Sequence, residues 1–316
     1  MKVIEHLEQA KNTLFSIEVL PPQKGKNIDD LLKVIEPLME FKPPFIDVTY
    51  HPEETIFRKQ SDGSIEEIPI RKRPGTVGIC AAIKGRFGVD TVPHLVCRGF
   101  TKEETEDALF TLHYLGINNV LLLNGDPDKG GGSVAPKRSH KYANELVNQV
   151  KNMNNGIFLH EETENEFKTD FCIGVAGYPE KHFEAPNMSA DLRNLKKKVD
   201  AGADYIVTQM FFDNKKYFDF VNACREMGIT IPIIPGIKPI EFKKQVYALP
   251  KLFFTEIPDV LLKELDKCKD DHVARQIGIE WAIEQSKELK AAGVPVLHYY
   301  TMSRNQATIA IAKEVF

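Results

Sequence analysis

The sequence predicts a single (β/α)8 barrel of the α/β class, and three observations carry that prediction. Short apolar segments recur along the chain, each followed by a stretch of helical periodicity, giving eight strand-then-helix units. Those apolar segments do not alternate with polar residues, the pattern of parallel strands covered on both faces. No Gly-x-Gly-x-x-Gly follows any of them, so the competing doubly wound sheet lacks its dinucleotide fingerprint. No linker or composition break divides residues 1–316, and one domain with an extra N-terminal helix is expected.

Residues 3–11 read as that short amphipathic helix. Phe15-Ser16-Ile17-Glu18-Val19-Leu20 reads as a strand stopped by Pro21 and Pro22, with the Glu18 carboxylate out of character inside it. Helical periodicity over 27–40 leads to a second strand at 45–50. The polar, charge-rich segment His51 to Arg73 reads as a long loop or lid. A helix over 75–87, weakened by Gly78, precedes a third strand at 92–97. Thr101 with Glu104 forms a capping box that starts a helix reaching about Leu115.

Val120-Leu121-Leu122-Leu123 is the fourth strand, running straight into the turn residues Asn124-Gly125-Asp126-Pro127. Asp128 to Ser133 lacks the spacing and the Lys-Thr ending of a phosphate loop and reads as flexible. A helix at 139–153 and an acidic surface excursion at 154–170 come before the fifth strand, 171–179. The helix 188–200 stops at Gly202, and the sixth strand is 205–212, followed by a helix to Met227. The seventh strand, 231–237, is followed by helical segments at 239–249, 258–267 and 270–291. The eighth strand, 296–301, and a helix from Ser303 complete the series.

Composition narrows the function classes. A hydrophobic share of 42% and a charged share of 27% are those of an ordinary globular chain, and a net charge of −4 gives no reason to expect nucleic acid or an anionic membrane as partner. No apolar run approaches the length of a membrane span, and no secretion signal is visible, so a cytoplasmic protein is expected. Five scattered cysteines without a C-x-x-C read as reduced structural thiols.

Barrels of this kind keep their chemistry at the C-terminal ends of the strands. The polar residues at or near such ends are Glu18, Thr49, His94, Asp126, Tyr178, Gln209 and Arg304. His94 and His298 have no further ligand at metal-binding spacing, so no metal site is expected. No serine or cysteine sits in a nucleophile elbow, which argues against acyl transfer. Lys196-Lys197-Lys198 is either a solvated basic face or an anchor for phosphate, and Glu18 and Asp126 could transfer protons or stabilise charge. From these residues alone the reaction stays unassigned.

Taken in order and spacing, several segments together resemble the methylenetetrahydrofolate reductase family over nearly the whole chain. They are Phe15-Ser16-Ile17-Glu18-Val19-Leu20-Pro21-Pro22, Val48-Thr49-Tyr50, Pro93-His94-Leu95, Gly125-Asp126 and Tyr178-Pro179-Glu180. Asp191-Leu192-Arg193-Asn194-Leu195-Lys196-Lys197-Lys198, Thr208-Gln209 with Phe211-Phe212-Asp213, Ile234-Pro235-Gly236-Ile237, and Tyr300-Thr301 with Arg304 continue the match.

The resemblance implies an FAD-containing barrel that takes hydride from NADH or NADPH and passes it to methylenetetrahydrofolate, the two substrates alternating over the flavin. By position Glu18 matches the general acid of folate ring opening, and burial is expected to raise its pKa for that task. Asp126 matches an aspartate near flavin and pterin that stabilises positive charge. Carried over residue by residue, Thr49, Tyr50, His94, Asn124, Gly125, Asp126, Tyr142, Ala143, Tyr178, His182, Ala185, Asp191, Asn194, Lys197 and Lys198 would line FAD. Gln209, Gln245 and Arg304 would hold the folate, and a homo-oligomer is expected.

Three departures stand out: Asn124 where the family commonly has arginine, a longer 51–73 segment, and Leu249 where an aromatic often follows the folate-binding glutamine. The resemblance reaches only a catalytic barrel, so insensitivity to adenosylmethionine is expected.

Overall fold

The computed structural model describes residues 1–51, 54–125, 138–160 and 167–316. The chain opens with α1 (Val3–Gln9), β1 (Leu14–Val19), α2 (Ile28–Ile35) and β2 (Phe45–Val48). It continues through β3 (Glu54–Lys59), β4 (Ile65–Ile70), α3 (Thr76–Phe87), β5 (Asp90–Val96), α4 (Lys102–Tyr114) and β6 (Asn119–Leu123). Next come α5 (Ala143–Asn154), β7 (Cys172–Gly177), α6 (Met188–Asp200), β8 (Tyr205–Thr208) and α7 (Asn214–Glu226). The last part holds β9 (Ile233–Ile234), β10 (Gly236–Ile237), α8 (Gln245–Phe253), α9 (Asp259–Asp266), α10 (Asp271–Ala291), β11 (Val296–Tyr300) and α11 (Gln306–Val315).

The main sheet runs in the order β10-β11-β1-β2-β5-β6-β7-β8-β9, with every ladder parallel. Its two ends are halves of one strand. Pro235 separates β9 from β10 and has no N–H to give a ladder, so β9 bonds to β8 while β10 bonds to β11. The (β/α)8 barrel predicted from the sequence closes at that proline. Gly236 lets it close, because a Cβ there would lie 2.3 Å from the Thr208 carbonyl oxygen and 2.5 Å from the Tyr300 hydroxyl.

Strand alternation sorts the apolar residues into two cores. Phe15, Ile17, Val19, Ile46, Val48, Leu95, Leu297 and Tyr299 point outward and pack under the helices. Phe45, Val92, Leu121, Cys172, Tyr205, Val207, Ile234 and Val296 fill the inside, joined from below by Val3 of α1. The N-terminal helix therefore plugs the bottom of the barrel. Its Val3 amide donates to Asn119 Oδ1 at 2.8 Å, and Asp90 at the foot of β5 accepts from His6 Nε2, Lys84 Nζ and the Met1 amine at 2.9–3.1 Å.

Four segments differ from the sequence reading. The 51–73 segment holds an antiparallel hairpin, β3 with β4, rather than only loop, since Ile56 pairs with Ile68 and Arg58 with Glu66. The sixth strand stops at Thr208 instead of 212, because the Phe211 and Phe212 carbonyls turn to accept from Gln285 Nε2 and Trp281 Nε1 at 2.9 Å. The helix expected at 239–249 begins only at Gln245. Its side-chain oxygen accepts from the Glu241 and Phe242 amides at 2.7 and 3.0 Å, which fixes 238–244 as a turn. The fifth helix begins at Ala143 rather than 139, with extended Tyr142 as its N-cap. The loop at 128–133 and residues 161–166 of the acidic excursion lie outside the described residues. All five cysteines are buried and unpaired.

Asp90 gives a measurable test of the plug. Burial pushes its carboxyl up, but His6, the Met1 amine and Lys84 outweigh burial and hold it well below the usual carboxylate range. A depressed folded-state pKa adds stability above the ordinary value of about 4, and that stability fades as pH falls further and the unfolded chain takes up the proton first. Asp90→Asn should therefore cost about 1–3 kcal/mol near neutrality. In denaturant melts the gap between variant and parent should narrow below pH ~4; a gap of constant size would show that charge plays no part.

Candidate active site at the C-terminal mouth

The alternation that builds the inner apolar layer places polar groups directly above it. On β1, Ser16 and Glu18 point into the barrel, in register with His298 and Tyr300 of β11 and, for Glu18, with Asp47 of β2. His94 reaches the same space from β5. Glu18 Oε1 accepts from the Thr49 hydroxyl at 2.6 Å. His94 Nε2 stands 3.3 Å from Asp47 Oδ2 and 3.7 Å from Glu18 Oε2. Ser16 Oγ and His298 Nδ1 are hydrogen-bonded at 2.7 Å, and His298 Nε2 is 3.9 Å from Glu18. Tyr205 forms the floor beneath them, and Gly174 makes room for it, since a Cβ would meet its ring at 2.4 Å.

This layer decides where protons sit. Burial alone would raise the Glu18 carboxyl, as the sequence reading expected. The structure reverses that expectation: the charge of His94, then His298, and the Thr49 hydroxyl together hold Glu18 below its ordinary value. Burial pulls the His94 imidazole down, but Glu18 and Asp47 outweigh it and hold His94 above the ordinary histidine value. The two shifts favour the ion pair, so a proton shared by Glu18 and His94 rests on the imidazole over a wider pH range than in the separate side chains. Asp47 Oδ1, His94 Nδ1 and His298 Nε2 are buried with no hydrogen-bond partner, so the cluster retains bonding capacity.

A second group gathers at the β7–α6 side of the mouth. Asp191, in the first turn of α6, accepts the His182 amide at 2.9 Å. Lys198 turns inward, bonds the Ala176 carbonyl at 2.6 Å and lies 5.9 Å from the Tyr178 ring centre, while Tyr178 and His182 meet edge to face at 4.6 Å. Burial brings the Lys198 ammonium down to about 8. Ala185 is buried, its carbonyl taken by Lys181 Nζ at 2.8 Å. Asn194 and Lys197 are exposed one turn along α6, within 3.4 Å of each other.

The remaining candidates are spread around the rim. Asn124 and Gly125 follow β6, Gly125 with a φ of +90° that suits glycine and Asn124 with its Oδ1 buried and unpartnered. Tyr142 and Ala143 start α5. Tyr50 is buried, its hydroxyl donating to the Gly99 carbonyl at 3.3 Å and its ring 4.8 Å from Phe100.

Gln209 uses its side-chain oxygen on the Met210 amide, and Gln245 spends its own on the turn before α8. Arg304 is exposed, its guanidinium 4.6 Å over the Phe242 ring. Leu249 packs with Met210, Phe212 and Ile240 in a satellite core, so its side chain is not open to a ligand. Asp126 lies outside the described residues.

Asp47, Ser16, His298 and Tyr205 were missed as parts of the site. The signal for Asp47 was present: it sits two residues before Thr49, on the same strand face, as a carboxylate in an apolar run.

Comparison with known proteins bears on this geometry. A model of the methylenetetrahydrofolate reductase family matches residues 2–315. The 5,10-methylenetetrahydrofolate reductase of Escherichia coli is 33% identical over 94% of this chain and 88% of its own length. Methylenetetrahydrofolate reductase (NADH) 1 of Arabidopsis thaliana is also 33% identical, over 98% of this chain but 50% of its own, so the chain spans about half the length of such relatives. A solved structure of an uncharacterized Clostridium thermocellum protein, described as binding two copies of 5-methyl-5,6,7,8-tetrahydrofolic acid, superposes with a TM-score of 0.62 at 14% identity, covering 99% of this chain and 98% of that one. That likeness speaks for the fold.

The Thr49 hydroxyl offers a direct check on the proton balance. Thr49→Val removes a donor to ionised Glu18 and should raise the Glu18 pKa, read by carboxyl 13C chemical shifts against pH; an unmoved titration would mean that this bond does not hold the charge.

Proposed function

The chain belongs to the methylenetetrahydrofolate reductase family, and from that premise we propose that it reduces 5,10-methylenetetrahydrofolate to 5-methyltetrahydrofolate with NADH or NADPH as donor. The observation that carries this reading is the buried Glu18–His94 pair at the barrel mouth, which can deliver a proton from a carboxylic acid to a substrate nitrogen. FAD, when bound, would supply the hydride relay between the two substrates.

The residues present suit that cofactor. Buried, unpartnered His94 Nδ1 and Asn124 Oδ1, at the C-terminal ends of neighbouring strands, suit the polar edge of a ring system. Lys198, with the adjacent Lys197 and with Asn194 one turn before it, suits a pyrophosphate. Thr49 and Tyr178 line the mouth between them, and Asp191 holds the His182 loop in place.

In this reading Glu18 protonates the departing ring nitrogen of the folate, which opens its five-membered ring to an iminium. Asp126 is assigned to stabilise that cation. Gln209 and Gln245 retain amide N–H groups for the pterin, and exposed Arg304 suits an anionic tail.

The purified protein should show flavin bands that bleach anaerobically with NADH or NADPH and return when methylenetetrahydrofolate is added. A protein that takes up no flavin, even when FAD is supplied, would overturn the assignment. Glu18→Gln should slow the folate half-reaction by about 10²–10⁴ while leaving nicotinamide oxidation within a few-fold; equal loss of both would remove Glu18 from the role of folate-specific acid.

A further inference from the structure

Asp47 is a buried charge to which the proposed reaction gives no part. It is fully buried on the barrel side of β2, in register with Glu18. Its Oδ2 lies 3.3 Å from His94 Nε2, the same atom that stands 3.7 Å from Glu18 Oε2. One N–H therefore faces two carboxylates from neighbouring strands. It can bond only one of them well at a time.

The surroundings make that arrangement consequential. A buried carboxylate without a cation is costly, and among the described residues His94 is the side chain within 4 Å of Asp47 that can carry positive charge. The other groups facing the trio are the Thr49 hydroxyl and His298 Nε2 at Glu18, the Tyr300 phenol beside both carboxylates, and the Tyr205 phenol and the Cys80 thiol near Asp47, the thiol kept neutral by burial. Of these, His298 is already bonded to Ser16 and the Tyr300 hydroxyl donates to the Thr208 carbonyl at 2.6 Å. The Tyr205 hydroxyl is neutral, so among the described residues His94 is the group that can answer the Asp47 charge.

We propose that Asp47 is a positioning residue that keeps His94 in place and loaded as the proton reservoir for Glu18. The inference rests on the folate-reducing reading of the site. In each turnover the Nε2–H bond of the imidazolium breaks and an O–H bond forms on Glu18 Oε2. That O–H bond then breaks as its proton passes to the departing ring nitrogen of the folate. Neutral His94 now turns a bare Nε2 lone pair to the Asp47 carboxylate, an unfavourable contact that draws the next proton from solvent and resets the pair.

Asp47→Asn keeps the shape and removes the charge. Without that anion the Glu18–His94 pair should lose its shared proton at lower pH, by roughly 1–3 units. The alkaline limb of the folate half-reaction should shift down accordingly, and so should the His94 titration followed by 15N NMR of histidine-labelled protein. The nicotinamide half-reaction should keep its pH profile. An unshifted alkaline limb, or an equal fall of both half-reactions at every pH, would overturn the proposal.

Should that variant fail to fold, Asp47→Ser decides by the same two readouts: a lowered alkaline limb with a lowered His94 titration supports the coupling, and an unshifted pair overturns it. Failure of the parent to reduce folate would instead overturn the function assigned above, while the shift of the His94 titration between variant and parent would still report on Asp47.

Discussion

The mouth of this barrel exists because the sheet closes, and closure hangs on the few residues around Pro235. A parallel ladder needs an N–H at regular intervals, and proline interrupts it. The interruption falls where the chain must leave β8 and reach β11, so two dipeptides bond to opposite neighbours. With the circle complete, the two-residue alternation of every strand sends one set of side chains to the helices and the other to the axis. Ser16, Glu18, Asp47, His94 and His298 meet because β11, β1, β2 and β5 are consecutive in that sheet and all present this face to the axis.

Placing charged groups on that axis has a cost that the structure offsets locally. Carboxylates and imidazoles in a dry interior persist only as mutual partners, and here two carboxylates share one imidazole, with a hydroxyl and a second imidazole at the edge. The same arrangement that makes the charges tolerable makes the proton mobile between them. Stability and reactivity are therefore set by the same contacts, whereas the apolar layer beneath, from Val3 to Tyr205, contributes packing alone.

Much of this was legible in the chain. The eight units, the capping box at Thr101 and the stop at Gly202 depend on local chemistry, and the structure has all of them. Glu18 announced itself as a carboxylate in an apolar strand. Its protonation did not, because that depends on His94 and His298, which strand pairing brings near from distant parts of the sequence. Asp47 escaped notice because its importance lies in a partner on another strand. The late start of α8 was hidden for a similar reason: Gln245 caps its own turn, a side-chain contact that periodicity does not report. The hairpin β3–β4 alternates too weakly between charged and apolar residues to stand out from a loop.

The ladder between β1 and β11 pairs Leu14 with Val296 and Glu18 with Tyr300, near opposite ends of the chain. Contacts of such separation form late and slowly. On the ribosome β1 must therefore wait with one edge bare until residues 296–300 have emerged. Glu18 and Ser16 on that waiting strand are solvated in the meantime, which keeps an otherwise apolar segment from pairing with a neighbouring chain. Two residues that end up in the polar layer of the barrel mouth would serve first as guardians of its solubility.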